Sequence, residues 1–279
     1  MFRKIIDYIV FSSLYIALCA ILMVWQTTWL LLGTAPSGRL VGFVFFATIC
    51  SYNFHWYLTP RGIDPSRRVQ WTHRHKALHF VLYLTGIVGS AVYFFYLWHY
   101  FIALAFAAFL TFLYSAPKVP HRAFRALQKI AVGKTLFLTF VWVYVTTVLP
   151  LIIAGARWHP SYILFTVGRF FLIYAICILF DYRDREDDKH QGIRSLITLL
   201  SEKGIAGLFW GSMSGFFGCS LALAFYRFPA YYIFLLLIPG IITAFLYREA
   251  RRNFSDDLYY IVLDGLMMFS GLLMFIFRI

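Results

Sequence analysis

Acidic side chains are what this chain has least of. It holds twelve Asp and Glu against twenty-five Lys and Arg, and charged residues of both signs make up only 13% of its 279 positions. Set against 61% hydrophobic residues and a mean hydropathy of +0.74, so little charge excludes an ordinary soluble domain and predicts a polytopic membrane protein. Cysteine is scarcer still. Cys19, Cys50, Cys177 and Cys219 all lie inside apolar runs with no CxxC spacing, which argues for buried packing residues and against a disulfide framework or a zinc site. A Walker-type phosphate loop, a dinucleotide fingerprint, a GxSxG elbow and an HExxH pair are all missing. Only Arg3 and Lys4 precede a first span that is too long for a signal-peptide core and has no small-residue cleavage site, so a retained first helix is expected. The net charge of +13 does not point to nucleic acid, because the basic residues are parcelled into short loops rather than gathered in one basic domain.

What is present is a succession of apolar runs. Nine spans are read, roughly Tyr8 to Leu32, Leu40 to Leu58, Leu78 to Leu97, Tyr100 to Tyr114, Thr135 to Ala154, Tyr162 to Phe180, Ile205 to Tyr226, Tyr231 to Tyr247 and Leu258 to Phe277. They predict an all-α membrane bundle of nine transmembrane helices in one domain, residues 1–279. Only Trp98 and His99 separate the third span from the fourth, so those two should form a tight hairpin. The N-terminus and the loops after spans two, four, six and eight hold twenty of the twenty-five basic residues; the other side holds Arg39, Arg157, Arg227 and Arg278. The positive-inside rule then expects the N-terminus and the long loops in the cytoplasm and the C-terminus across a cell inner or plasma membrane. Arg169 in span six and Asp264 in span nine are the two intramembrane charges, and that scarcity predicts that they pair. Gly207, Gly211 and Gly215 in span seven make a small-residue stripe expected to pack against a neighbour, and Pro239 is expected to kink span eight.

Five of the twelve acids, Asp181, Asp184, Glu186, Asp187 and Asp188, crowd into eight positions of the stretch FDYRDREDDKHQGIRSL, Phe180 to Leu196. Carboxylates this close repel, so water, basic neighbours or a bound cation must offset them. One reading is a solvated surface loop neutralised by Arg183, Arg185, Lys189 and Arg194. The other starts from Asp184-x-x-x-Asp188, which sets two carboxylates on one face if the helix continues, an arrangement suited to Mg²⁺ shared with a substrate phosphate. In SYNFHWYLTPRGID, Asn53, His55 and Asp64 fall at the cytoplasmic end of span two, where Pro60 should stop the helix. His75 and His79, four apart, with His55 nearby, raise the possibility of a transition-metal site. The loop YSAPKVPHRAFRALQK reads as topology charge on anionic lipid, and equally as a cationic wall able to grip an oxyanion. Aromatic residues, 21% of the chain, supply an interface belt and would also suit a cavity for a carbocation or an isoprenoid chain.

Together these residues resemble the UbiA superfamily of intramembrane prenyltransferases. Members have nine helices around a central cavity, Asp-rich motifs at the cytoplasmic ends of helices two and six, and a diphosphate-binding loop after helix four. DYRDREDDKHQGIRSL is similar to the second motif, including the downstream Gly192, Arg194 and Ser195, and Tyr114-Ser115-Ala116-Pro117-Lys118 is similar to the loop segment. With the span count, the likeness extends over the whole chain. The resemblance implies that Asp184 and Asp188, with Asp181, hold Mg²⁺ against the diphosphate of a polyprenyl donor. It implies a catalytic part for Lys118 in neutralising the leaving group, and a diphosphate site that includes Asn53, Arg61, Tyr114, Arg122 and Arg194. An electron-rich lipophilic acceptor, aromatic or otherwise, would attack the allylic cation within the bilayer, and fixed cations and metal are what such a departure requires.

The first motif departs from the family pattern. That pattern is Asn-Asp-x-x-Asp-x-x-x-Asp, and with Asn53 as anchor its three carboxylate positions hold Phe54, Tyr57 and Arg61; Asp64 is the one acid nearby. A guanidinium at Arg61 can grip phosphate oxygens directly. Two expectations follow: a transferase working with one metal site and its basic loops, or a non-catalytic relative that keeps the fold and binds an isoprenoid, a lipid or a protein partner. A transporter is the lesser alternative, since only Arg169 and Asp264 offer an ion path.

Overall fold

A backbone amide in hydrocarbon has no water to bond, so long apolar runs fold as helices that close their hydrogen bonds internally. The computed structural model describes residues 2–59, 66–115, 133–190 and 195–277, and among them it has helices and no strand. A short α1 (Phe2–Phe11) precedes α2 (Leu14–Leu32) and α3 (Gly38–Leu58); α4 (Arg67–Arg74) leads into α5 (Lys76–Tyr96). One 3₁₀ turn (Trp98–Tyr100) joins α5 to α6 (Phe101–Ser115), the expected hairpin. Then come α7 (Lys134–Val143), a π turn (Tyr144–Val148), α8 (Leu149–Ile153), α9 (Pro160–Arg183), and the small α10 (Arg185–His190) and α11 (Leu196–Leu199). The chain ends with α12 (Glu202–Ala222), α13 (Ala230–Ala250), a second π turn (Leu258–Leu263) and α14 (Asp264–Phe277).

Local chemistry sets these boundaries. Gly33, at φ 66°, closes α2 in the left-handed conformation that glycine adopts without strain, and Ser37 opens α3 by accepting a hydrogen bond from Leu40 N–H at 3.2 Å. Pro160 takes the first position of α9, where its missing N–H costs nothing. Helix α13 runs through Pro239 as one element, with Thr243 Oγ1 donating to the proline carbonyl at 2.7 Å.

Seven of the described helical segments are long and apolar enough to cross a membrane. The expected second and fourth spans fall outside that set: α3 has the length but carries Arg39, Asn53 and His55, and Trp98–Leu113 is a shorter apolar helix. Neighbours in sequence are neighbours in space. The order α3, α6, α7, α9, α12, α13, α14 closes into a ring through α2, which packs on both α14 and α3, while α5 lies against α3. Two contacts are backbone-tight: a Cβ at Gly86 would stand 2.5 Å from Cys50 N, and one at Gly271 would stand 2.9 Å from the Leu22 carbonyl oxygen. The glycine stripe of α12 behaves differently from expectation. Only Gly215 meets a neighbour, the Phe171 ring, whereas Gly207 and Gly211 face open space among the described residues. A four-residue step turns a helix by about 40°, so eight residues carry the stripe off the α9 contact.

Arg169 does not pair with Asp264. Its guanidinium donates to Gln26 Oε1 (2.7 Å), Thr27 Oγ1 (2.6 Å), Thr147 Oγ1 (2.9 Å) and the carbonyls of Met23 (3.2 Å) and Thr146 (3.0 Å). The π turn explains how: widening the helix loosens the backbone ladder and lets the Thr146 carbonyl face the arginine. A cavity of about 20 Å³ beside it, lined by Gln26, Arg169, Ser220 and Ser270, has room for one water. Neutral acceptors, not a carboxylate, hold this charge.

Candidate functional site

Helix α9 delivers the acidic stretch to one end of the bundle. Asp184 is its C-cap, yet the ladder continues, since Asp184 N–H bonds to the Phe180 carbonyl at 3.1 Å and Asp188 N–H to the Asp184 carbonyl at 2.9 Å. Asp184 and Asp188 therefore stand one turn apart, as their spacing requires. Asp184 is exposed and has no ion pair among the described residues, whereas Asp188 is buried. One turn earlier the buried Asp181 accepts a hydrogen bond from Thr135 Oγ1 on α7. The ion pairs of Arg183 and Arg185 lie outside the stretch. Arg183 reaches Asp256 at 2.5 Å, and Arg185 pairs with Glu202 and donates to the Leu200 carbonyl at 2.9 Å; Lys189 pairs inside the stretch, with Glu186 at 2.7 Å.

The same end gathers charges from all along the chain. Arg3 and Arg67 converge on Asp7 and Asp257, with Arg67 to Asp257 at 2.6 Å, and Arg251 meets Glu202 beside Tyr182. Burial raises the Asp257 carboxyl, but hydrogen bonds from Arg3 and Arg67 outweigh it and hold the group below the usual carboxylate range.

Beneath these pairs lies a buried group of another kind. Arg68 is 3% exposed, and its guanidinium lies over Trp56 (4.1 Å), Tyr260 (4.4 Å) and Phe11 (5.4 Å). Its one hydrogen bond among the described residues is long, 3.4 Å from Nη1 to the Val10 carbonyl, and its Nε is buried without an acceptor. Burial pulls this guanidinium below its ordinary value, opposed by Tyr260, Asp264, Asp256 and Tyr52. Arg183 sits on the other side, 5.1 Å from the same Tyr260 ring and 4.9 Å from Tyr259, with Nη1 buried and lacking an acceptor. Asp256 joins the two, accepting from Arg68 N–H at 2.7 Å and from Arg183 Nη2. Cation–π contacts return about 0.5–2 kcal/mol each, while burying an ion costs several. Arg68 is therefore under-compensated. Nothing in the sequence flagged this group, because Arg68, Arg183 and Asp256 lie far apart in the chain with no motif spacing between them.

The family's first motif is rebuilt in aromatics. Phe54 stacks on Tyr83 at 5.1 Å and Tyr57 lies against Phe80 at 5.5 Å. Asn53 is fully buried; it donates to the carbonyls of Ser12 (3.2 Å) and Ile49 (2.8 Å), and its Oδ1 is 2.7 Å from His79 Nδ1. His75 stacks on Trp71, and no group of three metal-ligating side chains forms among the described residues, so neither His55, His75 and His79 nor Asp181, Asp184 and Asp188 are brought together as a three-ligand metal site. Arg61, Asp64, Lys118, Arg122 and Arg194 lie outside the described residues, as does the side chain of Tyr114. For magnesium, the oxygen donors of Asp184 and Asp188, one turn apart, fit an ion that takes few protein ligands and shares a phosphate. They fit one such ion; α3 supplies no acid for another.

No family model matches the chain, and no curated protein matches it in sequence. Its fold does have a match: a solved structure of a digeranylgeranylglyceryl phosphate synthase superposes with a TM-score of 0.58, covering 97% of this chain and 98% of that one at 13% identity. That synthase is a UbiA-family prenyltransferase. The chain shares the fold of that synthase. In a UbiA fold the ends of helices two and six are where the sequence resemblance expects its two acidic motifs, and here α9 carries acids while α3 carries rings.

Proposed function

We propose that this chain is an integral-membrane prenyltransferase of the UbiA type. It moves a polyprenyl group from a polyprenyl diphosphate to an aromatic or other electron-rich lipophilic acceptor, in a bundle of nine transmembrane helices whose charged end is cytoplasmic. The observation that carries this reading is the pair Asp184 and Asp188, one turn apart at the end of α9, beside arginines whose ion pairs are made with Asp256 and Glu202. The fold likeness to a membrane prenyltransferase supports it.

In this reading Asp184 and Asp188, with Asp181 behind them, hold Mg²⁺, which when bound stabilises the negative charge growing on a departing diphosphate. Thr135 orients Asp181 through its hydroxyl. Lys118, Arg122, Arg194, Arg61 and Tyr114 are assigned to the diphosphate on the sequence resemblance. The allylic cation left behind is sheltered by aromatic faces; Tyr52 and Trp142, joined by a 3.1 Å hydrogen bond, bridge α3 and α7 and are suited to that role. An acceptor then attacks the allylic carbon in a water-poor interior.

One observation favours a second reading, a non-catalytic isoprenoid-binding protein: the packed rings of Phe54 and Tyr57 in place of metal-binding carboxylates. Incubating membranes that hold the chain with labelled polyprenyl diphosphates and Mg²⁺ separates the two. The transferase reading expects diphosphate release that disappears in Asp184→Asn; binding of the donor with no release would establish the second reading instead.

A further inference from the structure

We propose that Arg68 and Arg183 form a metal-free half of the diphosphate site, two arginines tied by one carboxylate, Asp256, whose guanidiniums stand where the resembled family's first acidic motif would hold a metal. The inference rests on reading Asp184 and Asp188 as the other, metal-dependent half.

The two side chains flank one ring, Tyr260, at 4.4 and 5.1 Å. A guanidinium offers five N–H donors. Among the described residues Arg68 uses one, in a long bond to Val10, and Arg183 uses one, on Asp256. Arg68 Nε and Arg183 Nη1 are buried and have no acceptor among the described residues, although buried donors as a rule find acceptors. Asp256 is the only carboxylate within 4.0 Å of either guanidinium among the described residues; Asp184 and Asp264 face them from farther off. The location matters as much as the deficit. Arg183 immediately precedes Asp184, and Arg68 stacks on Trp56 at the end of α3, between Phe54 and Tyr57, whose rings occupy two of the three positions where the family carries acids. A diphosphate offers oxygen acceptors for these spare donors, and bidentate guanidinium contacts suit its oxygens.

A purely structural staple predicts otherwise, because its cations would need no ligand. The test uses the full chain purified in detergent, with inorganic diphosphate and farnesyl diphosphate as probes and melting temperature and titration as readouts, in EDTA and in Mg²⁺. The expectation is a diphosphate-dependent rise in melting temperature that persists in EDTA in wild type, and a dissociation constant in EDTA weakened at least tenfold in both Arg68→Met and Arg183→Met. The further rise on adding Mg²⁺ should remain in Arg68→Met and vanish in Asp184→Asn. Arg68→Lys keeps the charge without the planar fork, so it should fall between wild type and Arg68→Met; it also serves if either methionine variant fails to fold. A wild-type shift seen only with Mg²⁺, or unchanged EDTA binding in the arginine variants, would overturn the guanidinium half and leave the Asp184 and Asp188 reading standing. No shift under either condition would overturn both.

Discussion

At the scale of single residues, the two readings of the acidic stretch differ in what a metal should do. If Asp184 and Asp188 bind Mg²⁺ together with a diphosphate, adding the metal should stabilise the liganded protein by RT ln(1 + [L]/Kd), about 2.7 kcal/mol at a hundredfold excess over Kd. Asp184→Asn changes an exposed side chain with no ion pair among the described residues, so it should leave the apo protein unchanged or slightly more stable, one repulsion being relieved, while abolishing the metal increment. Thermal shift with a polyprenyl diphosphate, with and without Mg²⁺, measures both; an identical increment in wild type and variant would defeat the metal site. A second residue-scale expectation concerns Arg169. Its acceptors are neutral, so a double-mutant cycle between Arg169→Gln and Asp264→Asn should show coupling below about 0.5 kcal/mol, the additivity expected of residues that share no partner. Coupling of several times that would restore the pair that charge scarcity predicted. The contrast shows what a sequence can hold. Spacing along one helix made the Asp184 and Asp188 geometry legible, because a helix converts spacing into direction. Arg169 was legible as buried, but its partners depend on a π turn that no pattern announced.

At the scale of elements, apolar runs fixed most helices to within a few residues, because hydrocarbon permits little else. Packing was less legible. The glycine stripe of α12 looked like an interface, yet the tight approaches are made by Gly86 and Gly271, isolated glycines that stood out in no repeat. Whether a small residue matters depends on what faces it, and that is a property of two elements rather than one. At Gly86 the facing atoms are the Cys50 backbone, which cannot swing aside as a side chain can. Gly86→Leu should therefore separate α5 from α3 and lower the melting temperature of the purified protein by several degrees, an overpacking cost of about 1–3 kcal/mol or more. Gly211→Leu, on a face that meets open space among the described residues, should be nearly neutral. Equal effects from the two substitutions would mean that the α3 to α5 contact is not as close as described. Neither substitution touches the acidic stretch.

At the scale of the whole molecule, the charged end and the direction of the helices constrain the topology together. Arg3 on α1 pairs with Asp257 at the start of the last span, and Arg67 and Arg183 meet acids in the same layer. The first helix thus begins, and the last helix starts, at one end of the bundle, and α14 runs away from it to Phe277 at the other. Termini at opposite ends require an odd number of crossings, which both nine spans and the seven segments of sufficient length and hydropathy satisfy. By sequence position, twenty of the twenty-five Lys and Arg fall in the N-terminus and the loops after spans two, four, six and eight, and only Arg39, Arg157, Arg227 and Arg278 fall on the other side. By the positive-inside rule that asymmetry sets the orientation without any help from the fold. Reporters fused after Lys129 or Lys203 should therefore read cytoplasmic, and one fused after Ile279 should read external. A cytoplasmic C-terminal reporter with the other two unchanged would leave an even number of crossings and mean that one described span does not cross. Because the Lys203 reporter is unchanged, that result would single out one of the last three helices, α12, α13 or α14.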